Sequence, residues 1–186
     1  MIIEIGTSDF DTLAGVAPGV FIEPIKYYYD KLPNNCIKEN IAISNRNGST
    51  AAYYIEYTDI VKYNLPDWIR GCNSINSHHP TVVKTLQEYG LPVSLIKEQT
   101  IEVKRLIDIV SKYQISQLDL LKIDTEGHDA TIILDYFNDP AVLPIKIIFE
   151  NNILSNNEEI SKAIKLLEKH NYHITHEEYN SIGILS

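Results

Sequence analysis

The feature that most constrains this chain is a recurring unit. A short apolar run ends abruptly on a glycine or polar residue and gives way to a stretch of helical period. The apolar runs are Met1 to Ile5, Gly19 to Ile22, Ile41 to Ile43, Leu118 to Ile123 and Ile145 to Phe149. The last two are of the kind buried on both faces of a sheet. Val103, Leu106, Ile107 and Val110 fall at i, i+3, i+4 and i+7, as do Ile160, Ala163, Ile164 and Leu167, the spacing of one helix face. Shorter helical patterns run through Val82, Val83, Leu86 and Tyr89, and through Ile132, Ile133, Tyr136 and Phe137. Ser155 followed by Glu158 predicts a capping box at the start of the last helix. Ala51 to Tyr57 reads as a strand returning from the turn-rich Ser44-Asn45-Arg46-Asn47-Gly48, and Tyr172 to Ser186 as two strands around Tyr179-Asn180-Ser181. Such alternation dictates an α/β fold with a mostly parallel sheet, closed here by an antiparallel hairpin.

The chain of 186 residues is the size of one domain, 1–186, and can bury a core without a disulfide or metal staple. Its 16 basic and 25 acidic side chains leave a net charge of −9. Lys and Arg are not clustered into a phosphate-neutralising surface, so nucleic acid is not the expected partner. No apolar run reaches a membrane span, and no signal segment opens the chain. Cys36 and Cys72 suggest neither a disulfide framework nor a metal-ligand pair. A cytoplasmic protein is the expectation. From Thr58 to about Gln99 runs a segment an α/β core does not require, carrying Trp68, Gly71, Ser74, His78 and His79. It is either decoration or the place where a substrate is held.

In an open α/β sheet, ligands gather beyond the carboxyl ends of the strands, near the reversal of strand order. The residues just beyond each apolar run are therefore informative: Gly6-Thr7-Ser8-Asp9, Glu23-Pro24, Ser44-Asn45, Asp124-Thr125-Glu126-Gly127-His128 and Glu150-Asn151-Asn152. Gly6 lets the backbone come close to a ligand at a tight turn. A carboxylate at Glu23 can accept both hydroxyls of a ribose, or else simply cap a turn. No glycine stands at the third or sixth position after Gly6, so the dinucleotide fingerprint is absent. A nucleoside cofactor without a pyrophosphate suits the pattern better. The Asp124–Asp129 cluster reads either as an acidic helix N-terminus or as a working site. For the second, Asp124 ends a buried strand, where a carboxylate is costly unless satisfied, and His128 offers a base of near-neutral pKa.

Taken in order, Ile3 to Asp9, Phe21-Ile22-Glu23-Pro24, Asn40 to Asn45 with Gly48, and Leu120 to Asp129 (LLKIDTEGHD) resemble the FkbM-type methyltransferases. These belong to the S-adenosylmethionine-dependent class I methyltransferases. The resemblance runs from about Ile2 to Asn152, and LLKIDTEGHD is its specific signal. The first loop departs from the family's Gly-Ala-Asn type. The resemblance implies a Rossmann-like class I methyltransferase sheet with helices on both faces. Residue by residue, it implies that Gly6, Thr7 and Ser8 face the amino-acid end of S-adenosylmethionine and that Glu23 holds its ribose. Ala42, Ile43 and Ser44 would lie along the adenine, and Asp124 where cofactor and acceptor meet. The expected reaction is O-methylation of a small hydroxylated acceptor, a sugar or glycan preferred, with 58–99 as an acceptor-side insertion. His128 is the expected base, with Glu126 as its substitute if the helix turns His128 away. Asp124, Glu150 and Asn151 supply three oxygen ligands suited to Mg²⁺ or Mn²⁺, by analogy with metal-dependent catechol and sugar O-methyltransferases; alternatively, Glu150-Asn151 only hydrogen-bonds loops. The rival reading is a catalytically silent binding module that keeps the fold. A neighbouring domain in a longer protein, such as a glycosyltransferase, is a further expectation.

Overall fold

The computed structural model describes residues 1–8, 12–75, 77–151 and 154–186. Asp9 and Asn152, named above among the strand ends, lie outside the described residues. In chain order the strands are β1 (Ile2–Ile5), β2 (Gly19–Ile22), β3 (Ile37–Glu39), β4 (Ala42–Ile43), β5 (Gly48–Tyr54), β6 (Ser74–Ile75), β7 (Lys97–Lys104), β8 (Leu118–Ile123), β9 (Pro144–Glu150), β10 (Tyr172–His176) and β11 (Asn180–Leu185). The α-helices are α1 (Lys26–Tyr29), α2 (Tyr57–Lys62), α3 (Pro80–Glu88), α4 (Leu106–Lys112), α5 (Asp129–Tyr136) and α6 (Asn157–Lys169).

Seven of these strands form the main sheet in the order β10-β11-β9-β8-β1-β2-β3. From β3 to β9 every neighbour is parallel, while β11 runs antiparallel to β9 and β10 antiparallel to β11. The chain thus builds outward from β1 through β2 to β3, then returns to the other side of β1 as β8. This puts the reversal of strand order between β1 and β8. Ile3 and Ile5 share a core with Val20, Ile22, Leu121, Ile123, Ile147 and Phe149, covered by the apolar stripes of α4, α5 and α6. On the opposite face, Phe21 packs with Ala14 and Leu32, and Tyr29 of α1 lies against them. This is the mixed α/β, Rossmann-like architecture expected. No helix among the described residues is long and apolar enough to cross a membrane.

One charged pair crosses this core. Glu4 is fully buried, and its carboxylate accepts from Lys122 Nζ at 2.9 Å, Thr12 Oγ1 at 2.8 Å and the Leu13 amide at 2.9 Å. Glu4 and Lys122 are register partners on β1 and β8. A buried carboxylate is tolerable only when paired and hydrogen-bonded in this way, and here it also pins the connection leaving β1.

Several sequence expectations need correction. The third apolar run, Ile41 to Ile43, does not supply the third strand of the main sheet. That strand is Ile37–Glu39, an edge with too few buried positions to show as an apolar run. Ala42–Ile43 belongs instead to a second sheet, β4-β7-β5-β6. Val103 is not helical. It lies in β7, where buried Ile101 and Val103 flank exposed Glu102 with the two-residue period of a strand, and the helix begins at Leu106. The strand read as Ala51 to Tyr57 is Gly48–Tyr54, because Gly48 already pairs with Val103 and Tyr57 opens α2. The cap of α6 is Asn156, whose side chain accepts from the Glu158 and Glu159 amides, and not Ser155. Within 58–99, Ile60, Leu65, Ile69, Val82 and Leu86 gather with Ile55 into a small apolar cluster of their own.

At the reversal point Gly6 has φ +81°, and a Cβ there would lie 1.8 Å from the Asp124 carbonyl oxygen. Both the backbone conformation and the contact demand glycine. Gly6→Ala is expected to cost about 2–5 kcal/mol, from the left-handed backbone and the overpacking together, read as a lower midpoint in urea denaturation.

Candidate active site

Because β1, β2, β8 and β9 are parallel, their carboxyl ends lie along one edge of the main sheet. There the Gly6 amide donates to the Ile22 carbonyl at 2.9 Å and the Asp124 amide to the Ile5 carbonyl at 2.9 Å. Glu23, only 2% exposed, accepts the Ser8 amide on Oε2 at 2.7 Å and the Ile25 amide on Oε1 at 2.8 Å. The two amides, one on each carboxylate oxygen, fix its rotamer. Asn40 Nδ2 donates to the Glu23 and Pro24 carbonyls, at 2.9 and 3.0 Å, and steadies the same strand end.

A pocket of about 550 Å³, counting its open mouth, lies over these ends, within the range of small-molecule sites. Of the residues expected to bind cofactor, Gly6, Ser8, Glu23, Ala42, Ile43 and Asp124 line it. Thr7 and Ser44 are buried beside it and do not line it. Gly71, Asn73, Ser74 and Ile75 of the 58–99 segment form part of its wall, and Ser8 Oγ donates to the Arg70 carbonyl at 3.1 Å. A neighbouring cleft is lined by Ser74, Ser77, His78, His79, Glu126 and Gly127. Ser74, Ile75, Thr125 and His128 are common to both. The two spaces are therefore contiguous at the end of β8.

After β8 the chain turns through two left-handed residues, Glu126 at φ +54° and Gly127 at φ +93°. A Cβ on Gly127 would meet the Leu154 carbonyl at 2.8 Å. Asp129 holds this turn from within. Fully buried, its carboxylate accepts the Thr125 amide at 3.0 Å, the Thr125 hydroxyl and the Glu150 amide at 2.7 Å. Burial pushes its carboxyl up to about 6, although those donors pull the other way. Asp129 thereby ties the end of β9 to the turn after β8. As a result Asp124, Glu126 and Glu150 converge, each offering a carboxylate oxygen within 4.8 Å of the others. Asn151, the third expected metal ligand, donates its amide to the Tyr179 carbonyl at 2.8 Å. Glu126 Oε2 also lies 3.2 Å from His79 Nε2. Cys72 completes a second group with His79 and Glu126, again with ligand atoms within 4.8 Å. The Cys72 thiol is pushed strongly upward by burial, then by Glu126, Glu150 and Asp124. Cys72 and Asp129 were not singled out as site residues by the sequence, and His79 stood out only as part of the 58–99 segment read as decoration or substrate-holding.

His128 turns toward the cofactor-side wall, with Nε2 2.9 Å from Ser44 Oγ. Burial holds its imidazole below the ordinary histidine value; Glu159 opposes this and Arg46 adds to it. An unfolded chain titrates this ring near 6.5, so below neutrality the unfolded state binds the proton first and stability falls as the solution is acidified. His128→Gln, which keeps a partner for Ser44, is expected to flatten the loss of stability between pH 7 and pH 5 in denaturant titrations.

The profile of the methyltransferase FkbM domain matches residues 8–174. No curated protein and no solved structure shows significant similarity to the chain. That match begins at Ser8, takes in Glu23, the 58–99 segment and the carboxylate cluster, and ends within β10, and with it the chain belongs to the FkbM methyltransferase family.

Proposed function

We propose that this chain is an S-adenosylmethionine-dependent O-methyltransferase acting on a small hydroxylated acceptor, a sugar or glycan preferred. The observation that carries the reading is the pairing of two contiguous spaces at one sheet edge. One is mostly apolar and has Glu23 and Asp124 in its lining; the other is more polar and has His78, His79 and Glu126 in its lining. The first suits a nucleoside: Ala42 and Ile43 offer an apolar wall for a base, and the Glu23 carboxylate on the same lining is of the kind that accepts from ribose hydroxyls. When bound, the cofactor supplies an electrophilic methyl group on a sulfonium. The 58–99 segment, which walls both spaces, is the acceptor-side insertion.

Transfer to a hydroxyl requires that the acceptor oxygen gain the methyl as its O–H proton leaves to a base. The Asp124–Glu126–Glu150 cluster, whose carboxylate oxygens lie within 4.8 Å of one another, offers acceptors for that proton. Glu126, on the wall of the polar cleft beside His79, is the member placed to receive it first. His128, hydrogen-bonded to Ser44, stands where the two spaces meet. Holding the acceptor oxygen in line within this cleft accounts for the remaining acceleration by proximity.

Calorimetry tests the cofactor. Glu23→Ala is expected to weaken S-adenosylmethionine binding by at least ~1.5 kcal/mol, or roughly tenfold. No binding of S-adenosylmethionine or S-adenosylhomocysteine by the unaltered chain would favour a silent binding module instead. Glu126→Gln is expected to lower kcat by about 10²–10⁴ with cofactor affinity retained. Transfer that is lost in EDTA and restored by Mg²⁺ or Mn²⁺ alone would support a hard cation at Asp124, Glu150 and Asn151. Full transfer in EDTA assigns the proton to the carboxylates without a metal.

A further inference from the structure

The group formed by Cys72, His79 and Glu126 is absorbed by neither the fold nor the cofactor pocket. We propose that these three side chains form a binding site for a borderline divalent cation of the zinc class. Their ligand atoms, one thiol sulfur, one imidazole nitrogen and one carboxylate oxygen, already lie within 4.8 Å of one another. The His79 Nε2 to Glu126 Oε2 separation of 3.2 Å is close to the edge, about 3.3 Å, of a tetrahedron with bonds of ~2.0 Å.

His79 is only 6% exposed, and Cys72 and His79 share a small internal space with Tyr53, Ile55, Ile69 and Val82. Nε2 is the ring nitrogen turned to Glu126, so it is the atom that would ligate the ion, with the ring hydrogen carried on Nδ1. The chemistry of the donors selects the ion. Thiolate and imidazole favour zinc, cobalt or similar metals over magnesium, which takes oxygen ligands.

The positions are held by the fold. Cys72 follows the short helical turn Asp67–Gly71, and its amide donates to the Ile69 carbonyl at 3.0 Å. His79 immediately precedes Pro80 at the start of α3, and Glu126 sits in the left-handed turn after β8. Binding would replace the thiol proton, releasing H⁺ to solvent as the sulfur–metal bond forms. Three protein ligands leave a fourth position open, the pattern of a reactive site and not of a closed structural one. His79 and Glu126 both line the polar cleft, so that position faces the acceptor side, an orientation that rests on the proposed methyl transfer. With the ion bound Glu126 is a ligand, and the proton it receives in the metal-free site passes instead to Asp124 or Glu150, whose carboxylate oxygens lie within 4.8 Å of its own.

The test uses the full chain, stripped of metal, with Zn²⁺ and Co²⁺ as probes. Zinc is expected to bind in equimolar amount in native mass spectrometry, with release of a proton. Cobalt is expected to give a near-ultraviolet thiolate-to-metal charge-transfer band. Cys72→Ser should abolish that band and weaken Zn²⁺ binding by about 100-fold or more, beyond the loss typical of an outer-shell partner. His79→Gln should weaken binding similarly. Asp124→Asn should leave the band in place. Absence of the band in the unaltered protein, or Zn²⁺ binding unchanged in Cys72→Ser, would overturn the proposal. Loss of binding in Asp124→Asn with retention in Cys72→Ser would move the ion to the carboxylates and equally overturn it. Calorimetry with S-adenosylmethionine on the metal-free chain fails or succeeds separately, so the two readings are distinguishable.

Discussion

The site depends on the approach of Gly6 to the carbonyl of Asp124. β1 is the strand from which the chain leaves in one direction and beside which it later returns, so the connections after β1 and β8 part company there. Parting opens a crevice, and the crevice is useful only if its floor is close-packed. Gly6 provides that floor. With no Cβ it lets the Asp124 carbonyl close over the loop, while its own amide reaches across to the Ile22 carbonyl of β2. Three strand ends are thus drawn together by one small residue, and Glu23 then takes the Ser8 amide from the same loop.

Around this floor the protein manages buried and half-buried acids in four different ways. Glu4 lies inside the sheet and is neutralised by Lys122. Glu23 is held by backbone amides at the rim of a pocket. Asp129 is enclosed by donors on all sides and works as a strut between the turn after β8 and the end of β9. Asp124, Glu126 and Glu150, by contrast, converge on one another. The first and third arrangements stabilise structure; the second and fourth lie at the functional edge of the sheet. An acidic chain can carry all of these because charge is locally compensated where it is buried and concentrated where a ligand can meet it.

The sequence made the main sheet legible wherever a strand is buried on both faces, as with Leu118–Ile123, and made helices legible wherever a stripe faces that sheet, as with Ile160, Ala163 and Leu167. Glu23, Asp124 and Glu150 were legible for a related reason, since a strand that stops on a carboxylate advertises its end. The edge strand Ile37–Glu39 was not, because an edge needs little apolar character. The second sheet was hidden too: β4 is two residues long, and Val103 satisfies a helical spacing and a strand alternation at once. Asp129 reads in sequence as one more acid at a helix start. Only the packing of β9 against β8 reveals that Glu150 donates to it. Nothing in local periodicity brings Cys72 and His79 to Glu126, since their meeting depends on how a separately packed segment docks.

That docking explains how one fold can divide its labour. The 55–96 region gathers Ile55, Ile60, Leu65, Ile69, Val82 and Leu86 into an apolar cluster separate from the core of the main sheet. It touches the sheet's functional edge through polar groups instead: Ser8 with the Arg70 carbonyl, and Glu126 with His79. Polar contacts of this sort fix position through direction more than through energy, each contributing about a kcal/mol. A change within the segment's apolar cluster can therefore shift Cys72 and His79 while Gly6, Glu23 and Asp124 stay where the sheet puts them. The sheet fixes one side of the crevice by close packing. The segment fixes the other by a few directional bonds, and that is the side on which the site can be altered without rebuilding the fold.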